Sequence, residues 1–389
     1  MTNSSSRKPG FFSKLWRLQK SAVARFPALF VLGIVTAVTM ALGKSSYPLT
    51  EAGWTDEYEL FRELMNRLAY TGVWGMLFSV IAQLLVEIRH GRRVQIAAQA
   101  IIFALSIFAL PLLFVRIYGE RRDVLLVGVT LALCAIILFI LTRTQGSDIA
   151  FPNFIVSVAI AGFSSLCVLV ISWLINTTLI DELWEMMDYH ISFYLEYNIL
   201  NILINLPLYV LFPMIFITLA TREREQISLP FAYQFIALRI LIMNGILFLA
   251  LLYLYLFKLL FTDILTFIGM CMSGREIFLY TSFATSGHLF FYFASMPDES
   301  PFFVFFRRYG ALFMLPLVAM QIFAFVIKIY TEGYTPARAA ALLYIIFSIA
   351  SCALTFIKRG KYMPLTFLIF AVLCILGSST PLNIIDIAK

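Results

Sequence analysis

The segment Lys328-Ile-Tyr-Thr-Glu-Gly-Tyr-Thr-Pro-Ala-Arg338 places two cations, one carboxylate and two tyrosines close together. Its pattern is typical of a connection between two helices, because Gly333 permits a turn, Thr335 can cap and Pro336 suits a first helical position. Arg338 then falls in the first turn of the second helix, where the helix dipole disfavours a cation unless an acid or an anion compensates it. We therefore expect an acidic partner or a bound anion beside Arg338.

Three kinds of partner fit Arg338: Glu332 in the same turn, the acidic segment near 181–196, or an anionic ligand such as a lipid phosphate. The simplest is a structural Arg–Glu pair that ties two helices together. Charge at the ends of spans near a cavity is also what binding of an anionic substrate needs. The candidate ligand-binding residues, which share one predicted side of the membrane, are Lys258, Lys328, Glu332, Tyr334 and Arg338.

A second set of polar residues lies inside apolar segments, and its members are Arg239, Asn244 and His288. Arg239 and Lys258 lie near the ends of their segment, where snorkelling to the interface is the default explanation. His288 lies well inside a segment, so it must hydrogen-bond a neighbouring helix or line a wet cavity, and structural packing competes with a proton-relay role. The pairs Gln83 with Glu87 and Asn201 with Asn205 repeat at the spacing of one helix face, which predicts inter-helix hydrogen bonds.

Signatures of soluble enzymes and metal sites are missing from the sequence. It contains no G-x-S-x-G, H-E-x-x-H, Walker or G-x-G-x-x-G pattern. Its three histidines are far apart, and its five cysteines stand singly. We expect no catalytic residues, no metal site and no cofactor. These patterns favour a protein that is not an enzyme.

Composition predicts an integral membrane protein. Hydrophobic residues make up 61% of the 389 residues and charged residues only 13%, against about a quarter charged in soluble domains. Windows of about 20 apolar residues predict an all-α transmembrane bundle of about eleven spans, with a range of about ten to twelve. The predicted spans are 26–43, 69–88, 96–115, 124–141, 154–175, 199–220, 235–260, 277–294, 311–329, 339–357 and 364–377.

The predicted organisation is a basic tail over residues 1–25 followed by a single transmembrane domain over 26–389. More Lys and Arg residues fall in alternate segments beginning with the tail, so the N-terminus is predicted to be cytoplasmic. The loop 116–123 opposes this orientation with three arginines on the predicted outer side. The segment 176–198 supports it, because it has five acids and no Lys or Arg. Its aromatic residues predict an interfacial helix near 180–196, with a solvated loop as the alternative.

The net charge of +7 does not require nucleic acid, because much of the excess lies in the tail. Anionic lipid headgroups are the expected partner. An anionic small molecule or partner membrane proteins are the other partners considered, and no nucleic acid is expected.

The turn Ile329–Ala339 resembles the Arg-Ile-x-x-Tyr-Gly-x-Thr-Pro-x-Arg signature of the bacterial family named domain of unknown function 4153. The resemblance extends to Leu251–Lys258, to Phe305–Arg308 and to Leu315–Leu317, with best coverage over 150–385. Lys328 stands where the family more often has Arg. The resemblance implies a bacterial multi-pass protein of the cytoplasmic (inner) membrane with no established reaction, and members often continue beyond an end like 377–386.

Two functions of different classes follow from these patterns. The first is a transporter-like or lipid-handling protein with an outward-facing polar site at the candidate ligand-binding residues. The alternative is a non-catalytic membrane scaffold or sensor, whose acidic outer segment and basic tail bind partner proteins. A cavity lined by Lys258, Lys328 and Arg338 favours the first, and solid packing around all three favours the second.

Overall fold

The computed structural model describes residues 20, 23–44, 56–87, 92–113, 120–175, 201–202, 204–221, 242–262, 274–357 and 361–379. All the regular elements in these ranges are helical, and no strand occurs among them. The chain divides into two compact units. Unit 1 contains 1–118 and 153–222, and unit 2 contains 119–152 and 223–389.

Unit 1 is built around the antiparallel pair α1 and α2, which pack along each other. Helix α3 packs against α2 and contains a π-helical turn, and a second π-helical turn precedes α6. Most of α5 also belongs to this unit. The bounds are α1 Pro27–Lys44, α2 Asp56–Glu87, α3 Arg92–Ala104 continued by Leu105–Ala109 and Leu110–Leu113, α5 Ser147–Ile175, the second π-helical turn Pro207–Leu211 and α6 Phe212–Ala220.

Unit 2 follows the chain as consecutive neighbours, with α7 on α8, α8 on α9, α9 on α10 and α10 on α11. Helix α11 also packs along α4, and the first turn of α5 belongs to this unit. The core between α7, α8 and α9 contains Leu252, Ala284 and Leu317. The bounds are α4 Glu120–Gln145, α7 Ile242–Thr262, α8 Gly274–Ala294, α9 Pro301–Glu332, α10 Pro336–Phe356 and α11 Leu365–Ser378.

The connection from α9 to α10 has the predicted form. Helix α9 ends at Glu332, and Gly333 has a φ of +75°, a left-handed conformation that glycine adopts without strain. Thr335 is extended at the N-cap and Pro336 is the first residue of α10. Thr335 therefore occupies the predicted cap position, but its side chain makes no capping hydrogen bond.

Within the described ranges, five helical stretches are long and apolar enough to cross a membrane: Glu59–Glu87, Val124–Gln145, Asp148–Ile171, Pro301–Glu332 and Pro336–Phe356. The all-helical prediction is therefore confirmed for the described residues, and the chain has the elements of a membrane protein. The other predicted spans coincide with shorter apolar helices or, in α8, with a helix that carries many polar residues. The structure does not confirm a count of eleven spans.

Several predictions fall outside the described residues. These are the interfacial helix near 180–196, most of the tail 1–25, and Arg239. The backbone of Lys258 lies within α7, but its side chain is outside the described part of the structure.

Candidate functional site

The turn between α9 and α10 gathers its charges around Glu332. The Glu332 carboxylate forms ion pairs with both Lys328 and Arg338. Arg338 also donates a hydrogen bond to the carbonyl oxygen of Gly333, which closes the turn. Of the three partners considered for Arg338, the structure therefore shows Glu332. The two residues form the structural Arg–Glu pair that was the simplest expectation.

These three charged side chains also line the mouth of a cavity of about 680 Å³, which we call the turn cavity. The Arg338 side chain is only 12% exposed, whereas that of Glu332 is 51% exposed, so the arginine lies deeper than its partner. The walls come from α8, α9 and α10 and are largely apolar, with Phe278, Leu279, Ala324, Phe325, Ala340 and Ala341. The turn cavity thus combines a charged mouth with an apolar wall.

The structure brings together three of the five candidate ligand-binding residues, namely Lys328, Glu332 and Arg338. Tyr334 is partly exposed on the turn and does not line the turn cavity. The position of the Lys258 side chain stays a prediction.

A group of polar side chains that the sequence analysis did not single out lies further along the same helices. Tyr344 in α10 donates a hydrogen bond to the Ser282 carbonyl oxygen at 2.7 Å, and its hydroxyl lies 3.0 Å from Thr285 Oγ1 and 2.5 Å from Ser286 Oγ. Gln321 in α9 donates to Ser282 Oγ and Thr285 Oγ1, both at 3.3 Å. We call these five residues the hydroxyl cluster.

The hydroxyl cluster lies at mid-depth of its helices. Tyr344 is eight residues into α10, which corresponds to about 12 Å along the axis, and Gln321 is eleven residues from the end of α9, about 16 Å. Half of a hydrocarbon core is about 15 Å. Gln321 is fully buried, and its Oε1 has no hydrogen-bond partner among the described residues. The cluster therefore keeps one buried acceptor open.

One signal in the sequence could have revealed this cluster. The run Thr281-Ser-Phe-Ala-Thr-Ser-Gly-His288 interrupts an apolar helix with five polar side chains. Ser282, Thr285 and Ser286 are three and four residues apart, a spacing that places them on one helix face. Their partners on α9 and α10 are 36 to 62 positions away in sequence, so no local pattern indicates them.

His288 lies two residues beyond the cluster and is buried, with 6% of its surface exposed. Neither Nδ1 nor Nε2 has a hydrogen-bond partner among the described residues. The ring lies 5.1 Å from that of Phe306 and packs against Gly310, where a Cβ atom would come within 2.5 Å of His288 Cε1. The predicted hydrogen bond to a neighbouring helix is not found, and His288 instead lines a cavity of about 510 Å³, which we call the histidine cavity.

Asn244 was grouped with Arg239 and His288 as a polar residue inside an apolar segment. It lines the histidine cavity as well. It lies on α7 and is exposed at the cavity wall. The structure therefore brings Asn244 and His288 to one space, a proximity that the sequence did not predict because the two residues lie on different helices.

Unit 1 contains a separate set of paired polar side chains, which we call the amide network. Arg25 forms an ion pair with Glu87 and donates to Thr221 Oγ1 at 3.0 Å. Gln83 donates to Glu87 Oε1 at 2.8 Å. This bond lies within α2, so it is not the inter-helix bond that was predicted. Gln99 in α3 provides the inter-helix bonds, because it donates to Gln83 and to the Ser79 carbonyl and accepts from Ser79 Oγ.

The other predicted pair behaves differently, since Asn205 Nδ2 donates to the backbone carbonyl of Asn201 at 2.7 Å rather than to its side chain. Within the described residues no group of three His, Cys, Asp or Glu side chains is placed to hold a metal ion.

No protein-family model, curated protein or solved structure matches this chain. The resemblance to the family named domain of unknown function 4153 therefore remains a prediction, and the chemistry of the two cavities is the basis for the proposals below.

Proposed function

We propose that this chain is a lipid-handling membrane protein that holds an anionic amphiphile in the turn cavity. The observation that carries the proposal is the shape of that cavity, which has cations at its mouth and an apolar wall between α8, α9 and α10. A ligand with an anionic headgroup and a hydrocarbon chain complements both parts. The volume of the turn cavity, about 680 Å³, is within the range typical of small-molecule sites, about 300–1,000 Å³.

Electrostatics at the mouth favours an anion. Lys328 and Arg338 contribute two positive charges and Glu332 contributes one negative charge, so the turn keeps a net positive charge. Arg338 lies in the first turn of α10, where the dipole adds a partial positive charge. A guanidinium binds phosphate through strong charge-assisted hydrogen bonds that are frequently bidentate. Glu332 competes with such a headgroup for both cations.

The apolar wall accounts for the rest of the ligand. Phe278 and Leu279 on α8 line the turn cavity together with Ala324 and Phe325 on α9, and the lining residues on α10 include small side chains that leave room for an acyl chain. Burial of a hydrocarbon chain stabilises a bound lipid by about 0.8 kcal/mol for each CH₂ group removed from water. In a bilayer this gain is shared with the surrounding lipid, so the headgroup determines selectivity.

The membrane context of the proposal comes from the sequence. We propose about eleven spans in a bacterial cytoplasmic membrane, a cytoplasmic N-terminus, and a turn cavity that opens on the outer side. The Lys and Arg bias supports this orientation, and the family resemblance supports the bacterial cytoplasmic membrane. Labelling of introduced cysteines from outside intact cells tests it, because Thr178 should react and Ser147 should not.

The test uses purified full-length protein and fluorescent phosphatidic acid, with phosphatidylcholine of the same chains as the comparison lipid. Phosphatidic acid should bind more tightly, and Arg338→Gln should weaken its binding about tenfold, the effect of losing one charge-assisted hydrogen bond. Arg308→Gln is the matched control, because Arg308 carries the same charge on the exposed surface of α9 outside the turn cavity.

A second variant tests the competition at the mouth. Glu332→Gln removes the carboxylate that occupies both cations, so phosphatidic acid should bind more tightly to this variant than to the wild type. Equal affinities for the two lipids, unchanged in Arg338→Gln, would refute the proposal and favour the scaffold or sensor function. Transfer of the labelled lipid between leaflets of vesicles distinguishes transport from binding alone.

A further inference from the structure

The histidine cavity contains a feature that the turn cavity lacks: a buried side chain whose polar atoms are both unpaired. Burial of a hydrogen-bonding group without a partner is unfavourable by about 1–3 kcal/mol, so such groups are uncommon in folded proteins. Both nitrogens of His288 are in this state among the described residues, although 94% of its surface is buried. A ligand in the adjacent cavity would supply the missing partner.

The lining of the histidine cavity defines the chemistry of that ligand. Its walls are mainly aromatic and aliphatic, with five phenylalanines at positions 248, 283, 290, 291 and 306. No Lys, Arg, Asp or Glu occurs among the described residues that line it. A charged group would enter without a counter-ion, which is strongly unfavourable in a low-dielectric interior. The ligand is therefore uncharged and largely apolar.

The histidine also restricts the polar part of the ligand. A neutral imidazole has one N–H donor and one nitrogen acceptor, and both are open here. A hydroxyl group donates and accepts, so it can pair with either nitrogen whichever tautomer is present. A carbonyl group can pair only with the N–H. The hydroxyl of Ser286, the nearest cluster member that lines this cavity, is already bonded to Tyr344.

We propose that the histidine cavity binds an uncharged long-chain alcohol, with the ligand hydroxyl hydrogen-bonded to His288 and its chain against the phenylalanine walls. This inference does not rest on the proposed function, because the two cavities have different linings and opposite requirements for charge. The volume of about 510 Å³ is within the range typical of small-molecule sites, about 300–1,000 Å³.

The experiment uses full-length protein in phosphatidylcholine vesicles and a hexadecanol that carries a photoreactive diazirine in its chain. After irradiation, mass spectrometry locates the crosslinked residues. In the wild type they should lie on α7, α8 and α9 around the histidine cavity. Unlabelled hexadecanol should compete, and hexadecanoate should compete at least tenfold less well because its charge is excluded.

Variants at two positions make the test specific. Gly287→Leu adds bulk to the histidine cavity and leaves the imidazole in place, and its Cβ atom fits because it would meet only Phe291, at 3.9 Å. It should abolish the crosslinks, and it should not impair folding since leucine forms helix better than glycine. If this variant does not elute from a sizing column as the wild type does, Gly287→Val replaces it. His288→Leu should weaken binding about fivefold to tenfold, whereas His288→Gln, which keeps a donor and an acceptor, should weaken it less.

Arg338→Gln should leave the hexadecanol crosslinks unchanged, which separates this site from the turn cavity. Crosslinks that persist in Gly287→Leu, or that lie elsewhere in the chain, would overturn the site. Binding by His288→Leu equal to that of the wild type would overturn the role of the histidine. Stronger competition by hexadecanoate than by hexadecanol would overturn the ligand class.

Discussion

The amide network of unit 1 and the polar groups of unit 2 differ in how completely their polar side chains are hydrogen-bonded. Each places amide, hydroxyl or charged side chains among apolar helices. In the amide network Ser79, Gln83 and Gln99 satisfy one another, and Glu87 pairs with Arg25. In unit 2 a buried acceptor of Gln321 and both nitrogens of His288 have no hydrogen-bond partner in the described part of the chain. A satisfied network contributes stability and specificity, whereas open groups beside a cavity are suited to a ligand.

The largest effect should come from breaking the ion pair of the amide network. Glu87→Ala leaves Arg25 without its counter-ion and Gln83 without its acceptor. We expect the free energy of unfolding to fall by about 2 kcal/mol, less than for a fully buried pair because both side chains are partly exposed. Titration with sodium dodecyl sulfate in mixed micelles measures this change.

Glu87→Gln is the control for this variant, since it keeps an acceptor for Gln83 and should lose about half as much. A double-mutant cycle with Arg25→Met isolates the pair itself. A loss below about 0.5 kcal/mol in Glu87→Ala would show that the amide network is not a stabilising element.

An intermediate effect is expected in the hydroxyl cluster. Tyr344→Phe removes a hydroxyl that contacts Ser282, Thr285 and Ser286 together. We expect the free energy of unfolding to fall by about 1 kcal/mol, because hydrogen bonds between transmembrane helices are individually modest. The same titration measures it, with Tyr253→Phe as the matched control.

Tyr253 donates a single hydrogen bond, to the carbonyl oxygen of Phe313, so its loss should be smaller than that of Tyr344. Equal losses in the two variants would show that the cluster adds nothing beyond one ordinary hydrogen bond.

The smallest effect on stability should come from His288, although it is buried and the Glu87 side chain is partly exposed. His288→Leu removes two unpaired nitrogens and keeps an apolar side chain in place, so the free energy of unfolding should stay within about 0.5 kcal/mol of the wild type or rise. The same variant should lose binding of hexadecanol. A loss of more than about 1 kcal/mol in the absence of ligand would show that His288 stabilises the fold, as the amide network is expected to do.

The sequence predicted the helices best where the hydrophobic pattern and the turn signals agree. Pro336 begins α10 and Gly333 follows the end of α9, as expected. The start of α2 was predicted at Ala69, but the helix begins at Asp56. Hydropathy detects the part of a helix that suits lipid, whereas the polar turns of the same helix form by backbone hydrogen bonding and have no such signal.

In the candidate site, too, some contacts could be predicted from the sequence and others could not. The pair of Glu332 with Arg338 could be predicted because the residues are six positions apart across one turn. The hydroxyl cluster could not, because Tyr344 meets Ser286 only through the relative register of α8 and α10. That register depends on side-chain packing between helices rather than on any local pattern. The open nitrogens of His288 are likewise a property of what surrounds the ring.

The close approach of Gly310 to His288 has an evolutionary consequence. A side chain at position 310 would collide with the imidazole, and the ring has little room to move because it is buried against Phe306. Selection on the histidine is therefore also selection on the glycine. Among related chains the two positions should change together, with residues larger than glycine at 310 confined to chains that have lost the histidine.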